Sequence, residues 1–285
     1  MAFFEKNSKL YPIALIILSC FFFSILAALI KYLNYFIHPF EQAFFRNLFS
    51  ISILIPLFLI LKKKYIKSKK KKILFLRSLF GAITMLLLFW SYTLIPLSQA
   101  MAISFSTPLF IFLGGIVIFK EHTNLKTILV LLLGFFFTLV IIRPDLEIKL
   151  GTIVALCAAV SHAITGLLVK NLTKTESVYS IMFYMVLFMS PLTFLPSYYV
   201  WELPDSLNVW LLLFLLALVG TTGNFLWTKA ISIAPMTEIM PYDFSKLIFS
   251  TIFGIIFFKE SFDYITLTGG VGIIVCNIYL TQNNS

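Results

Sequence analysis

Residues 92–121 and 231–260 align without a gap at an offset of 139, and ten of the thirty positions are identical. Pro96 meets Pro235, Met101 meets Met240, and Phe105-Ser106 meets Phe244-Ser245. Further on, Gly115-Ile116 meets Gly254-Ile255, and Phe119-Lys120-Glu121 meets Phe258-Lys259-Glu260. The same offset holds upstream, where Lys31 overlies Lys170, Phe44 overlies Phe183, Leu48-Phe49 overlies Leu187-Phe188 and Gly81 overlies Gly220. Matches of phenylalanine or isoleucine come cheaply in an apolar chain. Matches of proline, glycine and a Lys-Glu pair at one fixed offset do not, so the chain reads as two copies of one unit.

Each copy carries five apolar runs of the length needed to cross a bilayer, about 20 residues. The ten spans fall at 11–30, 39–61, 74–92, 98–119, 125–142, 151–169, 178–200, 209–228, 235–257 and 263–281. The 285 residues are 60% hydrophobic and 12% charged, about half the charge of a soluble domain. Strand-like alternation is absent, so helices satisfy the backbone in lipid. The expected fold is therefore all-α and integral to the membrane, with ten transmembrane helices. Because five is odd, the second copy enters the membrane upside down. Inverted repeats of this kind place a site near the midplane, where the halves meet, and permit alternating access by rocking. The expected organisation is a cytoplasmic N-terminus (1–10), a first repeat (11–142), a second repeat (151–281) and a cytoplasmic C-terminus (282–285).

Charge placement sets the orientation. With the N-terminus inside, sixteen basic residues flank the spans on the cytoplasmic side, Arg77 among them, against Lys31, Arg143, Lys149 and Lys259 on the other. Eight of the sixteen are lysines between Lys62 and Lys72. This run accounts for much of the net charge of +10 and reads as a cytoplasmic loop that also suits anionic lipid, not as a nucleic-acid surface. The cysteines (Cys20, Cys157, Cys276) lie in apolar spans, and the histidines (His38, His122, His162) are dispersed. No metal site, cofactor motif or phosphate-cradling glycine loop is expected. Two complete halves in one chain allow a monomer as well as a homodimer.

The ionisable residues inside spans are the candidate site. Each is costly at membrane depth and usually faces a cavity or a partner helix. Counting from Pro235 at 1.5 Å per residue, Asp243 lies about 12 Å into span nine and Lys246 about 17 Å, three residues apart and within pairing reach. Read as one continuous helix, span nine puts Glu238, Tyr242 and Lys246 on one face. Lys246 would then meet a substrate carboxylate and Asp243 an ammonium or sulfonium, or the two would form an internal ion pair. His162 lies mid-span as a packing residue or proton relay, while Glu238 either takes part in the site or answers a helix N-terminus. Gln99, Ser104, Thr107 and Asn224, with Thr84, Thr221 and Thr228, could complete a polar lining, although interhelical hydrogen bonds use the same residue types. Arg46 and Glu41 are a gate or a structural tie, set about 140° apart on span two and so seeking partners elsewhere. Trp90, Trp210 and Trp227 fall near span ends, as interfacial tryptophans do. Glu121 and Glu260 each follow one helix and precede the next, whose free N–H groups they can cap.

Four features together identify the chain as a member of a known family: HPFEQAFFRNLFS (38–50), STPLFIF…FKE (106–121), PYDFSKLIFSTIFGIIFFKE (241–260) and the tandem five-helix halves. They resemble the EamA branch of the drug/metabolite transporter superfamily, over nearly the whole length. Residues 241–247 are close to that family's Pro-aromatic-acid-x-x-basic-Leu pattern. The resemblance implies a cavity lined mainly by spans 3, 4, 8 and 9, with 1 and 6 contributing. It also implies a secondary carrier for a small polar or zwitterionic metabolite in a bacterial cytoplasmic membrane. Within the branch the chain is similar to bacterial S-adenosylmethionine-uptake carriers. Exporters of amino acids or drugs share the fold, and a non-transporting membrane protein or membrane-embedded enzyme is the reading from another class. The proton-coupling glutamate that related four-helix exporters carry in their first helix has no counterpart here, since Tyr11 to Ile30 holds no charge.

Overall fold

The computed structural model describes residues 10–60, 68–95, 103–142 and 150–258, together with 268–269, 271–272, 274–275 and 278–279. The first half contributes α1 (Leu10–Leu33), α2 (Pro39–Ile60), α3 (Lys71–Leu94), α4 (Thr107–Phe119) and α5 (Leu125–Ile142). The second contributes α6 (Leu150–Thr173), α7 (Val178–Tyr198), α8 (Leu207–Ile233), α9 (Met236–Ile239) and α10 (Ser245–Phe258), with a 3-10 turn at Met240–Phe244 between the last two. The described residues contain no strand. Side chains cap some of the helix starts. Ser177 Oγ accepts from Ser180 N at 3.0 Å, and Asn124 Oδ1 accepts from Thr127 N at 2.7 Å.

Six of the described helical segments are long and apolar enough to cross a membrane. The outer faces of these and of the shorter apolar helices expose large apolar side chains, among them Val117, Leu129, Phe136, Leu211 and Ile256. Water would not tolerate a surface of that kind; hydrocarbon does. The molecule is an all-helical, multi-pass membrane protein. Its inner contacts are close because small residues face them: Ala155, Ala158, Ala159, Ala163 and Gly166 on α6, and Ala217, Gly220 and Gly223 on α8.

The packing repeats when the halves are exchanged. The offset of 139 turns α1 into α6 and α3 into α8. Accordingly α1 packs along α8, and α3 along α6. The contact of α2 with α8 is matched by that of α7 with α3, and α4 against α6 by α10 against α1. Two residues related by the offset, Phe105 and Phe244, stack on each other at 6.1 Å and 25°.

Span nine is not one helix. Pro241 cannot donate to the i−4 carbonyl and its ring crowds that turn, so the chain tightens into the 3-10 turn before α10 begins. The face shared by Glu238, Tyr242 and Lys246 does not survive this break, because 100° per residue no longer holds. Glu238 ends exposed, and Tyr242 is buried in a core cluster with Ile16 and Cys20 of α1 and Ala230 of α8. The chain before α4 bends at the corresponding place, with Phe105-Ser106 in a turn and Pro108 in the first turn of the helix.

Candidate functional site

A cavity of about 160 Å³ lies among α1, α2, α3, α6, α7, α8 and the broken segments before α4 and α10. That is room for on the order of ten waters. Helices α2 and α7 also contribute to it, through Arg46, Met185 and Met189, beyond the helices that the family resemblance implied. Seven of the residues expected to line a site do line it: Asp243, Lys246, His162, Thr84, Ser104, Thr107 and Asn224; Arg46, expected as a gate or a tie, joins them.

Asp243 sits on the 3-10 turn and Lys246 on the first turn of α10. Lys246 Nζ donates to Asp243 Oδ2 at 3.4 Å. The turn is anchored to α1 by the Cys20 thiol, which donates to the Asp243 carbonyl at 3.5 Å and lies 3.6 Å from Oδ1. Ser24 Oγ, one turn on, donates to the Lys246 carbonyl at 2.9 Å. The ammonium also faces the rings of Phe23 at 5.5 Å and Phe105 at 5.8 Å. Across the cavity, the His162 ring lies 5.7 Å from Trp227. Trp227 is buried and lines the cavity, so it is no interfacial tryptophan: it sits six residues inside the end of α8, on the face toward α6. Several lining hydroxyls are already engaged as donors. Thr107 Oγ1 donates to the Ala159 carbonyl at 3.2 Å, and Thr84 Oγ1 to the Phe80 carbonyl at 2.8 Å. Asn224 Nδ2 donates to the Gly220 carbonyl at 2.8 Å, leaving its oxygen as acceptor.

Other expected residues lie elsewhere. Tyr242 and Glu238 are outside the cavity, for the reason given above. Gln99 and Glu260 lie outside the described residues. Thr221 is spent on Ser50, 2.7 Å away, and ties α8 to α2. Glu41 and Arg46 are not brought together. Glu41 Oε1 accepts from the Glu202 backbone N–H at 2.7 Å and holds the loop after α7 to the start of α2, whereas Arg46 lines the cavity.

Glu121 caps a helix, but not the next one in sequence. Lys120 adopts the left-handed region (φ 53°) and Glu121 N–H closes on the Gly115 carbonyl, which turns the carboxylate away from α5. Its two oxygens accept from Met236 N at 3.1 Å and Thr237 N at 2.9 Å, at the start of α9 in the other half. Lys170 completes the joint, 3.8 Å from Glu121 Oε1, while it donates to the Ala234 carbonyl at 2.6 Å.

Arg77 is a correction of a different kind. Sequence reasoning counted it as a cytoplasmic flank charge, yet it is 2% exposed and lines the cavity beside Arg46, which is 3% exposed. The signal was present. Arg77, Gly81, Thr84 and Leu88 follow i, i+4, i+7, i+11 spacing and form one stripe of α3, all of it cavity wall.

Membrane helices gathered around a small charged cavity are an arrangement that transporters use. The EamA-like transporter family matches residues 10–143 and again 149–281. The chain belongs to that family. It is 30% identical to an S-adenosylmethionine uptake transporter of Rickettsia bellii over 264 residues, covering 88% of this chain and 86% of the relative. It is 25% identical to the pseudopaline exporter CntI of Pseudomonas aeruginosa, covering 95% of both. A solved crystal structure at 16% identity superposes with a TM-score of 0.78 over 96% of this chain and 98% of its own, which shows the fold.

Proposed function

We propose that the chain is a secondary carrier of ten transmembrane helices in two inverted five-helix repeats (11–142 and 151–281). It moves a small zwitterionic metabolite of the amino-acid or S-adenosylmethionine class across a bacterial cytoplasmic membrane by alternating access. One observation carries this reading: the only charged pair in the cavity among the described residues, Asp243–Lys246, sits where the second-half helix is broken, against its broken counterpart from the first half. Broken helices at corresponding positions of two halves are where such carriers hold substrate. The exchange-related packing of the two halves supports rocking as the motion. Similarity to an S-adenosylmethionine uptake transporter supports the substrate class. Both termini lie in the cytoplasm; moving Arg77 from flank to cavity takes one from sixteen and still leaves fifteen basic residues against four. Transport direction follows the gradient.

The test is uptake of labelled S-adenosylmethionine into proteoliposomes, with and without unlabelled compound inside. Saturable uptake stimulated by the internal compound, and reduced at least about tenfold by Asp243→Asn at equal protein, is expected, since a charge-assisted contact is worth about 1.5–3 kcal/mol. Full activity of both Asp243→Asn and Lys246→Ala would remove the site from span nine.

A further inference from the structure

Arg46 and Arg77 reach the cavity from α2 and α3, and neither has an acidic partner among the described residues. Arg46 Nη1 meets Asn47 Oδ1 at 3.4 Å and the Met85 sulfur at 3.8 Å. Arg77 Nη1 meets the Met189 sulfur at 3.6 Å. The Nε of each is buried with no acceptor. A guanidinium offers five N–H donors, and thioether sulfur is a weak acceptor that answers none of the charge. The surroundings are built to admit these side chains. Gly220 and Gly81, related by the repeat offset, stand against them: a Cβ on Gly220 would come within 2.5 Å of Arg46 Nε, and one on Gly81 within 3.4 Å of Arg77 Nη1.

Asp243 is already answered by Lys246. Among the described residues, three cations and one carboxylate therefore leave the cavity wall with two uncompensated positive charges, both guanidinium. A buried charge of this kind is retained against its desolvation cost only when something compensates it. No described residue of the wall supplies the compensating group, and two forked donors in one small cavity suit a carboxylate.

We propose that Arg46 and Arg77 form a subsite for the carboxylate of the transported molecule, while Asp243 takes its cationic end in exchange for the contact with Lys246. This rests on the carrier reading above and sharpens it. The carboxylate goes to the arginines rather than to Lys246, and the substrate must carry an acid group as well as a cation.

The experiment is competition against labelled S-adenosylmethionine in proteoliposomes by two compounds that differ in one group, unlabelled S-adenosylmethionine and its decarboxylated form. In the wild type the decarboxylated compound should compete roughly ten- to a hundredfold more weakly, the effect of one lost charge-assisted pairing. Arg46→Gln and Arg77→Gln should raise the half-saturation concentration and erase that preference. Arg46→Lys and Arg77→Lys, which keep the charge but lose the fork, should retain part of it and cover the case in which a glutamine variant fails to fold. Equal competition in the wild type, or a preference that survives in both glutamine variants, overturns the subsite and leaves the carrier standing. Absence of any uptake by folded protein instead removes S-adenosylmethionine as substrate. The subsite is then read by the melting temperature of purified protein in rising sodium sulfate at constant ionic strength. A saturable rise in the wild type that is lost in the Arg46→Gln/Arg77→Gln double variant supports the anion site. An identical response in both proteins refutes it.

Discussion

A side chain that cannot move aside decides how much a neighbouring methyl group costs. At Gly220 an added Cβ would meet Arg46 Nε at 2.5 Å, and that guanidinium is buried against Asn47 and Met85, with little room to yield. At Gly81 the nearest atom is the Met189 sulfur at 3.3 Å, at the end of a flexible chain. Gly220→Ala is expected to lower stability by about 1–3 kcal/mol, the cost of overpacking, and Gly81→Ala by clearly less, as read from melting temperatures in one detergent. Equal losses would mean that Arg46 swings freely. The matched glycines were legible in the sequence as a repeat signal. What they make room for was not, because a glycine declares only that something is close.

The same limit acts on whole elements. Proline, a Pro-aromatic-acid pattern and an ion pair three residues apart were all visible in span nine, yet the 3-10 turn changed which side chains share a face. Asp243 and Lys246 kept their pairing because it is local; Tyr242 and Glu238 lost theirs with Lys246 because it depended on a continuous helix. Glu121 shows the long-range version. Its carboxylate answers two N–H groups of α9, more than a hundred residues away, and fastens the halves at one end of the bundle. Glu121→Gln keeps one acceptor and removes the charge, so a loss of about 0.5–2 kcal/mol in stability is expected, within the range for lost helix caps. Substrate half-saturation should stay unchanged, since the residue does not line the cavity. A melting curve beside a concentration series separates the two readouts.

For the molecule as a whole, orientation is the property most open to direct test. With the native cysteines replaced by alanine, a cysteine at Asp205, in the exposed loop between α7 and α8, should react with a membrane-impermeant thiol reagent on intact cells. One at Thr175, between α6 and α7, should react only after permeabilisation. The opposite pattern would invert the topology argued from the basic flanks. Alternating access predicts further that labelling of a cysteine introduced at Ala27, on the cavity wall, changes when substrate is present. Labelling that never changes would argue for a static pore.

The sequence by itself determined that the chain lives in a membrane, that it is helical, that it is doubled, and that Asp243 and Lys246 belong to its interior. Hydrophobic length, charge bias and repeat offset are properties of a chain read in one dimension, and each is strong enough to stand without neighbours. Only the tertiary structure decided that Arg77 faces inward beside Arg46, that Glu121 serves the opposite half, and that Trp227 is a cavity residue. Burial, pairing and the absence of a pairing acid depend on which helices come to lie side by side, and that information is carried by the packing of many weak contacts rather than by any one residue.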